Sequence, residues 1–172
     1  MIMSVGEVNV NKNHRAIIEA LHIIEDENIK YFIVGIGTLG EELQSLTKEY
    51  GLNGQVFFLG YRDDVPQLLK AADVFCFPSN REGLGLAAIE AMASGLPLIT
   101  SNVHGINDYS VNEVTGYSCS PDDHEAFAHM IETMKDTPKE RKKFGRENVG
   151  IAEKYDAKET DILMRKIYEK YM

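Results

Sequence analysis

The sequence predicts a three-layer α/β fold, a parallel sheet with helices on both of its faces. Three observations carry this expectation. Strand-like and helix-like segments alternate from the first residues to about residue 100. The strand candidates are short, continuous apolar runs, as strands covered on both faces require. Glycine or proline closes several of them, at Gly35, Gly60 and Pro78, where a chain leaving a sheet must turn.

Each element has its own warrant. Residues 2–6 form the first strand candidate. Residues 14–27 set Ile17, Ala20, Leu21 and Ile24 at helical spacing. Tyr31–Val34 is a strand ending at Gly35, and Glu41–Tyr50 is a helix stopped by Gly51. Val56–Leu59 is a strand; Asp64–Ala72 is a short helix that tolerates Pro66 in its first turn. Val74–Phe77 is a strand ended by Pro78, Gly85–Ser94 a helix stopped by Gly95, and Leu98–Thr100 a strand. Residues 101–121, rich in Asn, Gly and Ser, read as loop with a turn near Thr115-Gly116. Helical patterning then covers Glu125–Lys135, Lys139–Tyr155 and Lys158–Tyr171. With no repeat and no internal linker, residues 1–172 read as one domain.

Composition bounds the function. The net charge of −9 argues against a general nucleic-acid or anionic-membrane surface, though not against one anionic ligand at a focused site. Cys76 sits in an apolar run and reads as a core thiol; neither it nor Cys119 belongs to a CxxC pair, so no zinc site or disulfide framework is expected. No histidine pair has metal-ligand spacing. No apolar run is long enough to span a bilayer, and no signal peptide is visible. A cytoplasmic setting follows as the expectation.

In open parallel sheets ligands bind at the carboxyl ends of the strands. The most informative loop there is Glu82-Gly83-Leu84-Gly85-Leu86, opening a helix that carries Glu90. Glu90 is the only charged residue from Gly83 through Asn107. A lone carboxylate among Leu, Ala, Ile and Met is costly to bury unpaired, so a functional role is expected; an exposed helix edge is the bland alternative. Gly83 and Gly85 permit close backbone approach, and the helix start suits a diphosphate. Glu82 and Glu90 each offer a carboxylate to a vicinal diol.

Gly35-Ile36-Gly37-Thr38-Leu39-Gly40 is a literal GxGxxG between strand and helix, with Asp63 beyond it. It reads equally as a dinucleotide fingerprint or as a tight turn. Lys12, in the polar loop after the first strand, suits a phosphate or plain solvent. His104 follows a strand end and is a weaker candidate; His14, His22, His124 and His129 read as surface or capping residues. Asp63-Asp64 and Asp122-Asp123 read as helix N-caps. Ser79 has no GxSxG context and is no nucleophile candidate.

Together these segments resemble the retaining glycosyltransferases of group 1, or family 4. The resemblance runs from Gly6 and Lys12-Asn13 through Phe32–Gly37, Val56–Gly60, Ala72–Val74 and Pro78-Ser79 to Glu82–Gly85, Glu90–Pro97 and Thr115-Gly116. It implies a Rossmann-like domain, the C-terminal, donor-binding half of the two-domain GT-B fold. It implies that Glu82 meets the donor sugar and Glu90 the ribose. Gly83, Leu84, Gly85 and Leu86 would hold the diphosphate, and Lys12 would neutralise it as it departs. Tyr61 and Arg62 would lie beside the base, and Gly35, Gly37 and Ser79 would join the donor-binding set. No cofactor and no metal are implied. The partners would be a nucleotide-sugar donor, UDP-linked among the options, and a carbohydrate or lipid-linked acceptor. That acceptor would be met through an N-terminal domain absent from this chain, and the full-length protein would be peripheral to the inner membrane. The Glu7-Val8-Asn9 and Lys12-Asn13-His14 wording is similar to that of capsule and exopolysaccharide enzymes. Glu7 stands where the family often carries arginine; Arg81 is the candidate replacement cation. The rival readings are an NAD-binding dehydrogenase domain, a non-catalytic nucleotide-binding module and a sugar-nucleotide epimerase.

Overall fold

A computed structural model describes residues 1–169. Six strands form one parallel sheet: β1 (Ile2–Val5), β2 (Tyr31–Val34), β3 (Val56–Gly60), β4 (Val74–Phe77), β5 (Leu98–Ser101) and β6 (Gly116–Cys119). Their order is β3-β2-β1-β4-β5-β6. The chain thus winds outward from β1 to one edge, then returns to β4 and winds to the other.

Alternation along each strand sends side chains to two separate cores. Ile2, Tyr31, Ile33, Val74, Cys76 and Ile99 face one side, where Ile17 and Leu21 of α1 (His14–Ile24), Leu43 of α2 (Gly40–Glu49) and Phe127 and Ile131 of α5 (His124–Asp136) cover them. Met3, Val34, Phe75, Phe77 and Leu98 face the other. There Leu69 of α3 (Val65–Ala71), Ala88, Ile89 and Met92 of α4 (Leu86–Ala93) and Ala152 of α6 (Pro138–Ala152) close the layer. A last helix, α7, spans Ala157–Tyr168; the end of the helix expected over 158–171 lies outside the described residues.

Five strands and seven helices stand within a few residues of their expected positions. The sixth strand does not: β6 and a 3-10 turn at His104–Asp108 lie inside the segment expected to be loop. Gly116-Tyr117-Ser118-Cys119 has neither an apolar run nor a bulky alternation, and its strand character comes from pairing with Leu98–Ser101. Asp123 caps α5 as expected, accepting from the Ala126 amide at 2.9 Å. Asp64 does not cap α3; its carboxylate takes Arg62 instead.

Candidate functional site

The strand order reverses between β1 and β4, the switch point at which open parallel sheets form their ligand crevice. Three hydrogen bonds lace the loops after these two strands together at its floor, and a fourth ties the first loop to the segment after β6. The Asn80 amide donates to the Asn11 carbonyl at 2.7 Å, and its side chain to the Val10 carbonyl at 2.8 Å. The Asn13 side chain donates to the Pro78 carbonyl at 3.2 Å and to the Pro121 carbonyl at 3.0 Å. Asn13 adopts a left-handed backbone, φ 50°, which asparagine tolerates better than most residues.

This lacing brings Lys12 to Glu82. The ammonium donates directly to the carboxylate, both side chains being about one-fifth exposed. Lys12 Nζ also lies 4.7 Å from the Phe77 ring centre, a cation–π position. Just beyond Glu82, Gly85 takes φ 71° and starts α4 with no side-chain cap; the Ala88 amide donates to the Gly85 carbonyl, and the Leu86 and Ala87 amides ahead of it are left for another acceptor. A cation, a carboxylate and an uncapped helix start therefore share the crevice.

Beneath it runs a buried relay. His14 Nδ1 lies 3.1 Å from the Tyr31 hydroxyl. Tyr31 donates to Ser4 Oγ at 2.9 Å, and Ser4 to the Cys76 carbonyl at 2.6 Å. Because Tyr31 and Ser4 each spend their one proton forward, His14 must carry its proton on Nδ1, leaving Nε2 bare. His14 is 2 % exposed, a core residue and not the surface or capping residue its place at a helix start suggested. Burial pushes its pKa down to about 4, the Glu7 backbone offsetting only part of that shift.

The other expected residues fall as follows. Glu90 is exposed on the outer face of α4, in line with exposed Leu86 one turn earlier; no burial cost arises, because α4 turns Ala88, Ile89, Ala91 and Met92 to the core and Glu90 away. The Cα faces of Gly35 and Gly37 are filled by this chain's own first loop. A methyl on Gly35 would meet the Gly6 carbonyl oxygen at 1.9 Å, and one on Gly37 the Val8 oxygen at 2.3 Å. The close approach these glycines permit is thus made to backbone within the chain. Ser79 is fully buried, its hydroxyl without a hydrogen-bond partner among the described residues. Tyr61 is 78 % exposed at the end of β3, and Arg62 beside it is gripped by Asp64 through two hydrogen bonds of 2.8 and 2.6 Å. His104 stands exposed at the end of β5 with φ 44°. Glu7 and Arg81 are exposed. Cys76 and Cys119 are buried free thiols. No group of His, Cys, Asp and Glu able to hold a metal occurs among the described residues.

Two features had no signal in the sequence. Exposed apolar side chains collect after the ends of β1 to β4: Val10, Ile36, Tyr61, Leu84 and Leu86. The second is Tyr109, a buried residue of the supposed loop, whose hydroxyl points at Gly85.

Residues 1–149 match the family model for glycosyl transferases group 1. The chain belongs to that family. It is 30% identical over 169 residues to the putative glycosyltransferase EpsD of Bacillus subtilis, covering 97% of this chain and 44% of that protein. It is 35% identical over 137 residues to the UDP-Gal:alpha-D-GlcNAc-diphosphoundecaprenol alpha-1,3-galactosyltransferase of Escherichia coli, covering 77% of this chain and 35% of that protein. Among solved structures, Anabaena HepE in complex with UDP superposes with a TM-score of 0.93 at 23% identity, over 98% of this chain and 48% of that one. The C-terminal domain of the group 1 glycosyl transferase LpcC of Francisella tularensis gives 0.82 at 23% identity, over 91% of this chain and 86% of that one. These likenesses establish the Rossmann-like α/β fold found in GT-B glycosyltransferases. The chain spans less than half the length of these two curated relatives. Nothing in these comparisons supports the dehydrogenase reading. Among the described residues no helix is long and apolar enough to cross a membrane.

Proposed function

We propose that this chain is the donor-binding domain of a hexosyltransferase that uses a nucleoside diphosphate sugar. One observation carries the proposal: Lys12 and Glu82 meet beside the uncapped start of α4, where the strand order reverses.

The chemistry follows from charge. As the bond between sugar and diphosphate breaks, negative charge builds on the departing phosphate. Fixed amides at the start of α4 and the ammonium of Lys12 stabilise that charge more than they stabilise the intact donor. Backbone at Gly83, Leu84, Gly85 and Leu86 lies against the diphosphate, because two glycines let the chain come close. Glu82, next to Lys12, holds hydroxyls of the transferred sugar. Glu90, one turn into α4 and free of partners in the ion pairs of the described residues, holds the ribose diol. Tyr61 and Arg62 lie beside the base. Lys12 and the helix start take the role a metal would otherwise fill.

In this reading a preceding domain supplies the acceptor pocket, and the acceptor is a carbohydrate or lipid-linked sugar. The relatives' names, a diphosphoundecaprenol galactosyltransferase of Escherichia coli and a lipopolysaccharide core biosynthesis glycosyltransferase of Rhizobium meliloti, support a place in surface-polysaccharide assembly.

The test is calorimetric titration of the chain with UDP, GDP, ADP and NAD, repeated on Glu90→Ala. Binding of one nucleoside diphosphate, lost in the variant, is expected. Binding of NAD alone, indifferent to Glu90, overturns the proposal.

A further inference from the structure

Tyr109 ends the 3-10 turn after β5 and is 1 % exposed. Its hydroxyl is buried without a hydrogen-bond partner among the described residues, an arrangement native proteins seldom keep without a use. The ring is held edge-on by Tyr155, centroids 6.2 Å apart. The hydroxyl faces Gly85 from the same side as the Glu82 stem. A methyl placed on Gly85 would lie 2.4 Å from Tyr109 Oη, 2.8 Å from the Phe77 ring and 3.2 Å from Glu82 Cγ. The Tyr109 platform is itself fastened to this loop, since the Gly105 amide donates to the Glu82 carbonyl at 3.3 Å. Burial first, and the Glu82 carboxylate second, raise the pKa of the Tyr109 hydroxyl and keep it a proton donor.

Glu82 currently spends its carboxylate on Lys12. If Lys12 turns to a diphosphate, that carboxylate loses its cation while still largely buried, an unfavourable state unless another donor replaces it. The Tyr109 hydroxyl stands at the Gly85 Cα face that the Glu82 stem also lines, with its proton unspent. We propose that Tyr109 is the positioning residue for Glu82, donating to its carboxylate when the donor substrate draws Lys12 away. One carboxylate oxygen is then held by Tyr109, and the other is turned to the sugar. Tyr109 acts through Glu82 and does not touch the substrate, because its hydroxyl is closed off from solvent. This inference rests on the donor-binding reading above.

Tyr109→Phe tests it, because the ring stays and only the hydroxyl goes. In the unliganded chain no hydrogen bond is lost, so the thermal midpoint should hold or rise. Affinity for the nucleotide sugar, UDP-glucose or GDP-mannose as the wild-type chain selects, should fall about tenfold, the scale of one hydrogen bond to a charged group. Affinity for the bare nucleoside diphosphate should barely change. In a Glu82→Gln background Tyr109→Phe should add little, because the two residues act as one unit. A lowered midpoint, equal loss for sugar-bearing and bare nucleotides, or full additivity with Glu82→Gln assigns Tyr109 to packing and overturns the inference alone. Failure of the wild-type chain to bind any nucleoside diphosphate or nucleotide sugar overturns the donor-binding reading and the inference with it.

Discussion

Lys12 donates to the carboxylate of Glu82 across 70 residues of sequence, the two meeting where β1 and β4 part. The pair neutralises two charges that are both about four-fifths buried. It also sets a competition, because a phosphate that recruits Lys12 must first take it from Glu82.

That competition makes two substitutions differ in sign. Lys12→Ala removes the cation and should weaken binding of a bare nucleoside diphosphate by about tenfold or more, as loss of a charge-assisted contact does. Glu82→Gln leaves Lys12 free and should hold or strengthen binding of the bare diphosphate while reducing the preference for its sugar conjugate. Titration calorimetry with both ligands checks this; weaker binding of the bare diphosphate by Glu82→Gln would contradict the competition.

The buried relay predicts a pH dependence of stability. His14 has a pKa of about 4 in the folded chain and 6.5 as its ordinary value. Its folded pKa is depressed, so the unfolded chain takes up the proton first as pH falls. The contribution of neutral His14 is therefore fully present above pH 6.5 and is lost between 6.5 and about 4, amounting to about 3 kcal/mol. Urea midpoints across that window should show the slope in the wild type, and His14→Asn should flatten it. Asp26, held down to about 2 chiefly by its hydrogen bond to Lys135, acts in a separate window below its ordinary 3.8.

The glycines of GxGxxG should separate by position. Gly35→Ala and Gly37→Ala drive a methyl into the Gly6 and Val8 carbonyls, with no flexible side chain able to give way. Each should cost about 4 kcal/mol or more, the range reserved for gross steric or burial faults. Gly40→Ala, with nothing within 4 Å of the added carbon, should be neutral or stabilise α2 by about 0.5–1 kcal/mol through helix propensity. Thermal or urea unfolding without any nucleotide distinguishes the three.

Asn148 of α6 is fully buried and donates to the Leu96 carbonyl at 2.7 Å and to the Thr115 carbonyl at 2.9 Å. It ties α6 to the two loops that enter β5 and β6. Asn148→Ala takes the side-chain donor from the Leu96 carbonyl, leaves the Thr115 carbonyl with only the Leu98 amide, and opens a small void, so a loss of about 2–4 kcal/mol is expected. Nucleoside diphosphate affinity should be unchanged at temperatures where the variant is folded, because Asn148 bonds to the loops entering the strands and the crevice lies at their other ends.

Five strands, seven helices and the loop order were legible from the sequence because local physics specifies them. Apolar runs bounded by Gly35, Gly60 and Pro78 mark strands, and a 3.6-residue apolar rhythm marks helices, whatever they pack against. The residue types of the crevice, Lys12 with Glu82 and the glycines before α4, were equally visible. What the tertiary structure alone decided is pairing and burial. β6 exists because β5 offers it a ladder, not because its residues favour extension. Glu90 turned outward and His14 inward, since helix phase against the sheet, not composition, sets which face is wet. Gly35 and Gly37 met the chain's own first loop, a contact across some thirty residues that no local spacing encodes. The union of Lys12 with Glu82, and Tyr109 waiting beside it, likewise required the strand order to reverse between β1 and β4, because only that reversal brings the two loops to one crevice.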